Sequence, residues 1–498
     1  MTTMDLYRQL CLTVGMIGLA SYGFGTGAPV YKDQPNIIVI FTDDLGYNDL
    51  GCFGSEKIKT AHIDQMAHEG MKLTSFYAAA PLCGPSRAAL MTGSYPLRPA
   101  IPKIDNHRKF HTIIHNEEVT MAEILKAAGY NTMAIGKWHL AGSGGQAIGT
   151  RKDAEGLEAF YAKNPRLMPN AQGFDHYYGI PYSNDMKPTV MMRNDEFVEY
   201  PVDQAGISTR YTDEAIAFVK KNKNNPFFIY LAHSMPHTPL YPSAWFEGKS
   251  DYGLYGDCVE EIDYNVGRLI DVLKAEGKDD NTLVIFTSDN GPWIEPQKGR
   301  VPEARDSRLQ SGKADPLRGM KMTNWEGGFR VPGVVRYPGK IKPGTTSDVL
   351  LTMMDLYPTF AAMAGIDLPA HKKIDGKDIM PVLQGKKKKS PHEAFFYYRY
   401  TCLDAVRNDR FKLVLPSPQN TLGIGWYDRL QEKTDKHILY DLKNDIGETT
   451  DVSAQYPGQV EKLRQLAEQM RQELGDSDRI GQGWRGEYRW EYENTYTK

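Results

Sequence analysis

Asn36-Ile-Ile-Val-Ile-Phe41-Thr42-Asp43-Asp44-Leu45-Gly46 is an apolar, β-branched run that ends abruptly in two carboxylates. Pro35 in front and the Asp pair behind bound it at strand length, and its lack of polar alternation predicts a strand buried on both faces. The pattern recurs far along the chain in Asn281-Thr-Leu-Val-Ile-Phe286-Thr287-Ser288-Asp289-Asn290-Gly291. Asn131-Thr-Met-Ala-Ile135 and Pro226-Phe-Phe-Ile-Tyr-Leu231 are of the same kind, and 331–337 reads as another strand. Residues 61–70, 121–128, 211–222 and 255–276 carry helical spacing, the first three close to a strand of the set. Strands alternating with helices predict an α/β fold with a large, mostly parallel sheet flanked by helices. Ligands of such sheets gather at the carboxyl ends of the strands.

Helical periodicity over 351–363 ends at Gly365, and beyond Asp375-Gly376 the character changes. Residues 395–400, 404–406, 411–415 and 437–442 read as short strands without intervening helices, and 459–474 as an amphipathic helix. These predict a smaller C-terminal antiparallel sheet with one packed helix. The expected boundary lies near Gly385, giving a larger α/β domain over 29–385 and a C-terminal α+β subdomain over 386–498. The tail 484–498 has no assignment.

Of 498 residues, 41% are hydrophobic and 24% charged, which excludes a disordered chain, and the net charge of −3 argues against nucleic acid or a membrane surface as partner. Residues 1–28 carry Arg8, an apolar stretch over 10–19 and then small residues, the pattern of a secretory signal peptide. Export to the periplasm or the medium is the expectation. The stretch is too short and glycine-rich for stable membrane insertion. Cys11 lies in this leader, and Cys52, Cys258 and Cys402 are scattered and odd in number, so no disulfide framework is read.

If the two matching strands are parallel neighbours, Asp43, Asp44, Asp289 and Asn290 meet at one sheet edge. Hard oxygens without cysteine or histidine in the same segments favour Ca²⁺ or Mg²⁺, and a cation relieves the mutual repulsion of three carboxylates. Either motif alone is also what an ordinary Asp/Asn turn with glycine looks like. Gly136-Lys137-Trp138-His139-Leu140 follows another strand, placing Lys137 and His139 at the same edge, on a shared side if extension persists. His237, between Pro236 and Pro239, follows a fourth strand, whereas His233 reads as a surface residue or a core partner. Lys321, in the glycine-rich segment 317–328, has a solvated loop as its ordinary reading. Cys83-Gly84-Pro85-Ser86-Arg87 on its own reads as a proline-broken helix start with a small buried hydrophobe. Together these segments supply what hydrolysis of a tetrahedral anionic ester requires: positive charge for the transition state and an acid for a poor leaving group.

The run from Cys83 to Arg87, continued by Ala88-Ala89-Leu90-Met91-Thr92-Gly93, resembles the maturation signal of the type I sulfatases. With the motifs between Asn36 and Pro332 in family order, and Leu439-Tyr440-Asp441-Leu442-Lys443-Asn444-Asp445 near the end, most of the chain resembles a formylglycine-dependent sulfatase of the arylsulfatase A type, within the alkaline phosphatase-like superfamily. That resemblance implies oxidation of Cys83 to formylglycine by a formylglycine-generating or anaerobic maturation enzyme. It implies one Ca²⁺ held by Asp43, Asp44, Asp289, Asn290 and modified residue 83. Arg87 and Lys137 would orient and polarise the formylglycine hydrate, with His139 bonded to it and assisting sulfate elimination, and Asp289 able to take a proton from the attacking hydroxyl. His237 and Lys321 would bind the ester side, His237 as the acid to the leaving oxygen, and Ser183 would contact sulfate. Ala141 departs from the glycine that commonly follows Gly136-Lys137-Trp138-His139-Leu140, without removing a catalytic group. Arg108, in the insert 102–114, is either a subsite contact or part of a polar surface loop. Trp426 and Tyr427 are a candidate platform for sugar stacking. The leading expectation is an exported enzyme that removes sulfate from a sulfated carbohydrate. A phosphate mono- or diester hydrolase of the same superfamily and a catalytically dead sulfated-glycan binder are the alternatives.

Overall fold

The computed structural model describes residues 34–99, 102–104, 110–112, 114, 117–141, 151–186, 189–293, 311–416, 432 and 434–485, with backbone alone at 102–104, 110–112 and 151–155. The leader, Arg108, Trp426, Tyr427 and all but the first two residues of the tail lie outside the described residues.

An eleven-stranded sheet forms the body, and its middle is parallel. Asn36–Thr42 lies between Thr282–Ser288 and Phe227–Ala232, and Asn131–Gly136 and His176–Gly179 extend the parallel set. Every residue of 36–42 is buried, but successive side chains enter different layers: Ile37, Val39 and Phe41 join one core, Ile38 and Ile40 the other. Helices Ile207–Lys221 and Gly253–Ala275 cover the second layer, and Met121–Ala127 and Leu356–Ala364 the first. Burial on both faces is why this strand reads as a continuous apolar run.

The structure corrects three sequence expectations in detail. The strand expected at 331–337 is Arg330–Arg336, and it runs antiparallel to both of its neighbours, 282–288 and Met71–Tyr77. Met71–Tyr77 went unrecognised because its first residues alternate buried and half-buried, directly after the helix Ala61–His68. The helix expected from Leu351 begins only at Leu356, because Leu351–Thr352 pairs with 71–77 and Thr352 and Asp355 then close a capping box around the short turn Met353–Asp355.

The C-terminal strands Phe395–Arg399, Cys402–Arg407, Phe411–Val414 and Ile438–Asp441 form an antiparallel sheet in chain order, with the helix Pro457–Leu474 packed on it. Trp484, the start of the tail, is buried, and its indole N–H donates to the Leu474 carbonyl.

His233, at the end of strand 227–232, is fully buried with no hydrogen bond to either ring nitrogen. Burial pushes its pKa from 6.5 down to about 3. Because the folded value lies below the unfolded one, protonation favours the unfolded chain, and stability falls as pH drops from 6.5 toward 3. Urea denaturation of wild type and His233→Leu at pH 7 and pH 5 should show the wild type losing about 2 kcal/mol relative to the variant over that interval.

Candidate active site

Strands 36–42 and 282–288 pair in parallel with Thr42 opposite Ser288, so the next residues, Asp43 and Asp289, emerge side by side. The Asp289 N–H donates to the Thr42 carbonyl at 3.1 Å, continuing the ladder into the site. Asp44 then takes a left-handed conformation, φ 63°. That turn brings its carboxylate to Asn290, whose Nδ2 donates to Asp44 Oδ1 at 2.7 Å, while the Asp44 N–H donates to Asp289 Oδ1 at 3.2 Å. Beneath the turn, buried Asp49 accepts the Gly46 N–H at 2.7 Å, the Tyr255 hydroxyl at 2.6 Å and the Lys313 N–H at 2.9 Å. Gly46 admits no side chain, since a Cβ there would sit 2.3 Å from the Lys313 carbonyl oxygen.

Cys83 is the first residue of the helix Cys83–Thr92, so the helix start read from the sequence and the candidate nucleophile coincide. Arg87, one turn later, faces the same way. Its guanidinium donates to Asp289 Oδ2 at 2.7 and 3.1 Å, to the Lys137 carbonyl at 2.8 Å and to the Tyr230 hydroxyl at 3.4 Å. Lys137 Nζ donates to Asp43 Oδ2 and, at 3.0 Å, to Ser183 Oγ. Lys321 is not solvated: it is buried and donates to both Asp44 oxygens, at 2.6 and 2.8 Å. His237 Nε2 stands 3.7 Å from Asp44 Oδ2, and its Nδ1 donates to the Thr238 carbonyl.

Asp43, Asp44 and Asp289 thus face Arg87, Lys137 and Lys321, all six buried. Burial raises the pKa of Asp43, but Lys137, His237 and Arg87 outweigh it and hold the carboxyl well below its usual range. Asp289 goes the other way, pushed up to about 7 by burial and by Asp43. Burial raises the Cys83 thiol despite Lys137 and Lys321. It depresses His237 against the pull of Asp44 and Asp43, and it carries His139 far below the usual histidine value, reinforced by Lys137 and Arg87.

Two buried oxygens, Asp43 Oδ1 and Asn290 Oδ1, have no hydrogen-bond donor. Ligand atoms of Asp43, Cys83 and Asp289 all lie within 4.8 Å of one another. Orphaned hard oxygens beside a carboxylate pushed toward protonation are what an oxygen-preferring divalent cation corrects, so the residues fit such an ion.

The twelve residues singled out in the sequence fare differently. Asp43, Asp44, Cys83, Arg87, Lys137, Ser183, His237, Asp289, Asn290 and Lys321 meet in one cluster. His139 lies alongside, but at φ 57° it breaks the extension that was to align it with Lys137, and its buried Nδ1 makes no hydrogen bond. Arg108 falls outside the described residues. Sequence reading missed Tyr230 and Asp49. Asp49 carried a signal as a further carboxylate just after Asp43 and Asp44, whereas Tyr230 looks like any aromatic strand residue.

A family model described as Sulfatase matches residues 35–366, and one described as N-sulphoglucosamine sulphohydrolase, C-terminal, matches residues 320–478. The chain belongs to the sulfatase family. It is a type I sulfatase of the alkaline phosphatase-like superfamily and a sulfuric ester hydrolase. This sulfatase is 33% identical to human steryl-sulfatase over 450 residues, covering 75% of this chain and 74% of the relative. It is also 33% identical to pig N-acetylgalactosamine-6-sulfatase over 494 residues, covering 91% and 87%. Among solved structures, one from Bacteroides thetaiotaomicron, reported under metabolism of multiple glycosaminoglycans, superposes with a TM-score of 0.74 at 28% identity, covering 88% of this chain and 99% of that one. The PsFucS1 sulfatase from Pseudoalteromonas sp. gives 0.72 at 26% identity, covering 88% and 90%.

Removing the Arg87 guanidinium should unsettle the sulfatase as a whole. Arg87→Ala leaves buried carboxylates without their counter-charge and is expected to lower stability by about 3–5 kcal/mol in urea unfolding, and Arg87→Lys by less.

Proposed function

We propose that this sulfatase removes sulfate from a sulfated carbohydrate, using a formylglycine made from Cys83 and one Ca²⁺. The observation that carries this reading is the convergence of Cys83 Sγ with Asp43 and Asp289 beside two donor-less oxygens, at a helix start ringed by Arg87, Lys137 and Lys321. Asp43, Asp44, Asp289, Asn290 and residue 83 would hold the ion, which supplies charge stabilisation to the sulfate oxygens. A formylglycine at position 83 would supply, in its hydrated form, the hydroxyl that displaces the alcohol from sulfur. The buried surroundings of Cys83 suit an aldehyde better than a thiolate, since burial disfavours the charged thiol more than Lys137 and Lys321 favour it.

The chain's own groups divide the remaining work. Arg87 is locked between Asp289 and the Lys137 carbonyl and orients residue 83, while Lys137, bridging Asp43 and Ser183, carries positive charge to the sulfate. Asp289, whose carboxylate lies within 4.8 Å of Cys83 Sγ, takes the proton of the attacking hydroxyl. Neutral His139 serves as base when sulfate leaves. The Thr238 carbonyl holds the Nδ1 proton of His237, so Nε2 delivers a proton to the leaving oxygen from the imidazolium form, which Asp44 at 3.7 Å favours, with Lys321 beside it.

The carbohydrate assignment draws on the amino-sugar sulfatase that matches 91% of this chain and on the glycosaminoglycan context of the Bacteroides structure. Arg108 is proposed as a substrate contact on the insert 102–114. The signal-like residues 1–28 support export, and maturation by a formylglycine-generating or anaerobic enzyme is part of the same proposal. No helix among the described residues is long and apolar enough to cross a membrane.

In a panel of defined sulfated saccharides, enzyme whose residue-83 peptide has the mass of an aldehyde should release sulfate. Cys83→Ala should fold normally and lose about 10⁴-fold or more in kcat. Equal activity of the two proteins, or inertness of confirmed aldehyde-bearing enzyme on every sulfate ester while a matched aryl phosphate is turned over, would count against the proposal.

A further inference from the structure

Segment 318–327, which presents Lys321, is a closed loop: the Gly327 N–H donates to the Arg318 carbonyl at 2.7 Å, and the Met320 N–H to Thr323 Oγ1 at 3.0 Å. Two backbone bonds tie its apex to the site, Lys321 N–H to Pro292 at 2.9 Å and Met322 N–H to Pro81 at 2.8 Å. Charges from the C-terminal sheet hold its base. Lys412, fully buried on strand 411–414, donates to the Asn324 carbonyl at 2.9 Å and pairs with Glu448 at 2.7 Å and Glu326 at 3.3 Å. Glu448 Oε2 accepts the Glu326 N–H at 2.8 Å. Arg318 lies 3.6 Å over the Trp325 ring and donates to the Glu448 carbonyl at 2.9 Å.

The run 439–445 explains how Glu448 arrives there. Asp441 anchors the strand end by accepting Arg410 at 2.6 and 3.0 Å, and Asp445 accepts the Thr449 and Thr450 N–H groups at 2.8 Å each. Between them the chain turns, with Glu448 itself at φ 53°, and its carboxylate enters the buried cluster.

We propose that Lys412 and Glu448 are positioning residues for Lys321, through which the C-terminal sheet fixes the loop that lays Lys321 Nζ on Asp44. Gly319, Gly327 and Gly328 leave the loop little conformational preference of its own, so its shape is set from outside. Apolar residues of similar volume would stabilise the junction as well as a buried ion pair does, but they would lack the directional bonds by which Lys412 and Glu448 hold the Asn324 carbonyl and the Glu326 N–H. This inference rests on the reading of Lys321 as stabilising the leaving oxygen. A misplaced Nζ then weakens catalysis in proportion to the charge that oxygen develops.

The test compares phenyl sulfate, a poor leaving group, with 4-nitrophenyl sulfate, a good one, on matured enzyme. Glu448→Ala should lower kcat for phenyl sulfate about tenfold or more and for 4-nitrophenyl sulfate less than about threefold, with KM little changed. Lys321→Met should show the same contrast, and adding Glu448→Ala to it should cost nothing further on phenyl sulfate. Glu448→Gln retains an acceptor for the Glu326 N–H and keeps the protein folded if the alanine variant does not. In it the contrast should shrink to about threefold and the double substitution should again be non-additive. Equal losses on both esters, or additive effects of the two substitutions, would overturn the inference while leaving the proposed function intact. If Lys321→Met alone treats the two esters alike, the reading of Lys321 falls and the inference with it.

Discussion

Everything at the catalytic edge depends on one register. Thr42 opposite Ser288 in a parallel pair delivers Asp43 and Asp289 side by side to the same edge, both fully buried. Two buried carboxylates at that spacing are unstable by themselves. The remaining features answer that constraint: Arg87 bridges toward both, Lys137 takes the outer oxygen of Asp43, and Asp44 is turned aside to Lys321 and Asn290. Even so, Asp43 Oδ1 and Asn290 Oδ1 remain without donors. The protein side of the site is balanced in charge but incomplete in coordination.

That balance also explains why the supporting shell is so heavily hydrogen-bonded. A left-handed Asp44 is held by the Asp49–Tyr255 buttress below it. Lys321 is carried on a glycine-rich loop gripped by backbone bonds at its apex and by buried charges at its base. Each device removes freedom from a group whose charge is of use in only one position. The C-terminal sheet is therefore part of the chemistry's scaffold, even though none of its residues is among those proposed to touch the reacting atoms.

Much of this was legible in the sequence because strand ends are legible. Two apolar runs that both stop in carboxylates announce a shared edge, and basic residues after two further strands must reach the same edge if the sheet is parallel. Local pattern was ambiguous or misleading where tertiary context decides. Lys321 looks solvated because its loop is rich in glycine and its counter-ion, Asp44, is remote in sequence. His139 was expected to share a side with Lys137, but its left-handed backbone turns it out of line. His233, read as either a surface residue or a core partner, is wholly buried. The ion pair of Lys412 with Glu448 could not be anticipated, since neither residue stands in a periodic pattern and their meeting depends on how strands 411–414 and 438–441 align.

The central claim is that the Asp43–Asp289 edge is built around one oxygen-preferring divalent cation. Calorimetric titration of Ca²⁺ into metal-stripped protein tests it most directly. The account predicts one saturable site per chain, lost or greatly weakened in Asp43→Asn and Asp289→Asn although both variants remain folded. Absence of stoichiometric binding in the wild type, or binding unchanged by both substitutions, would contradict it.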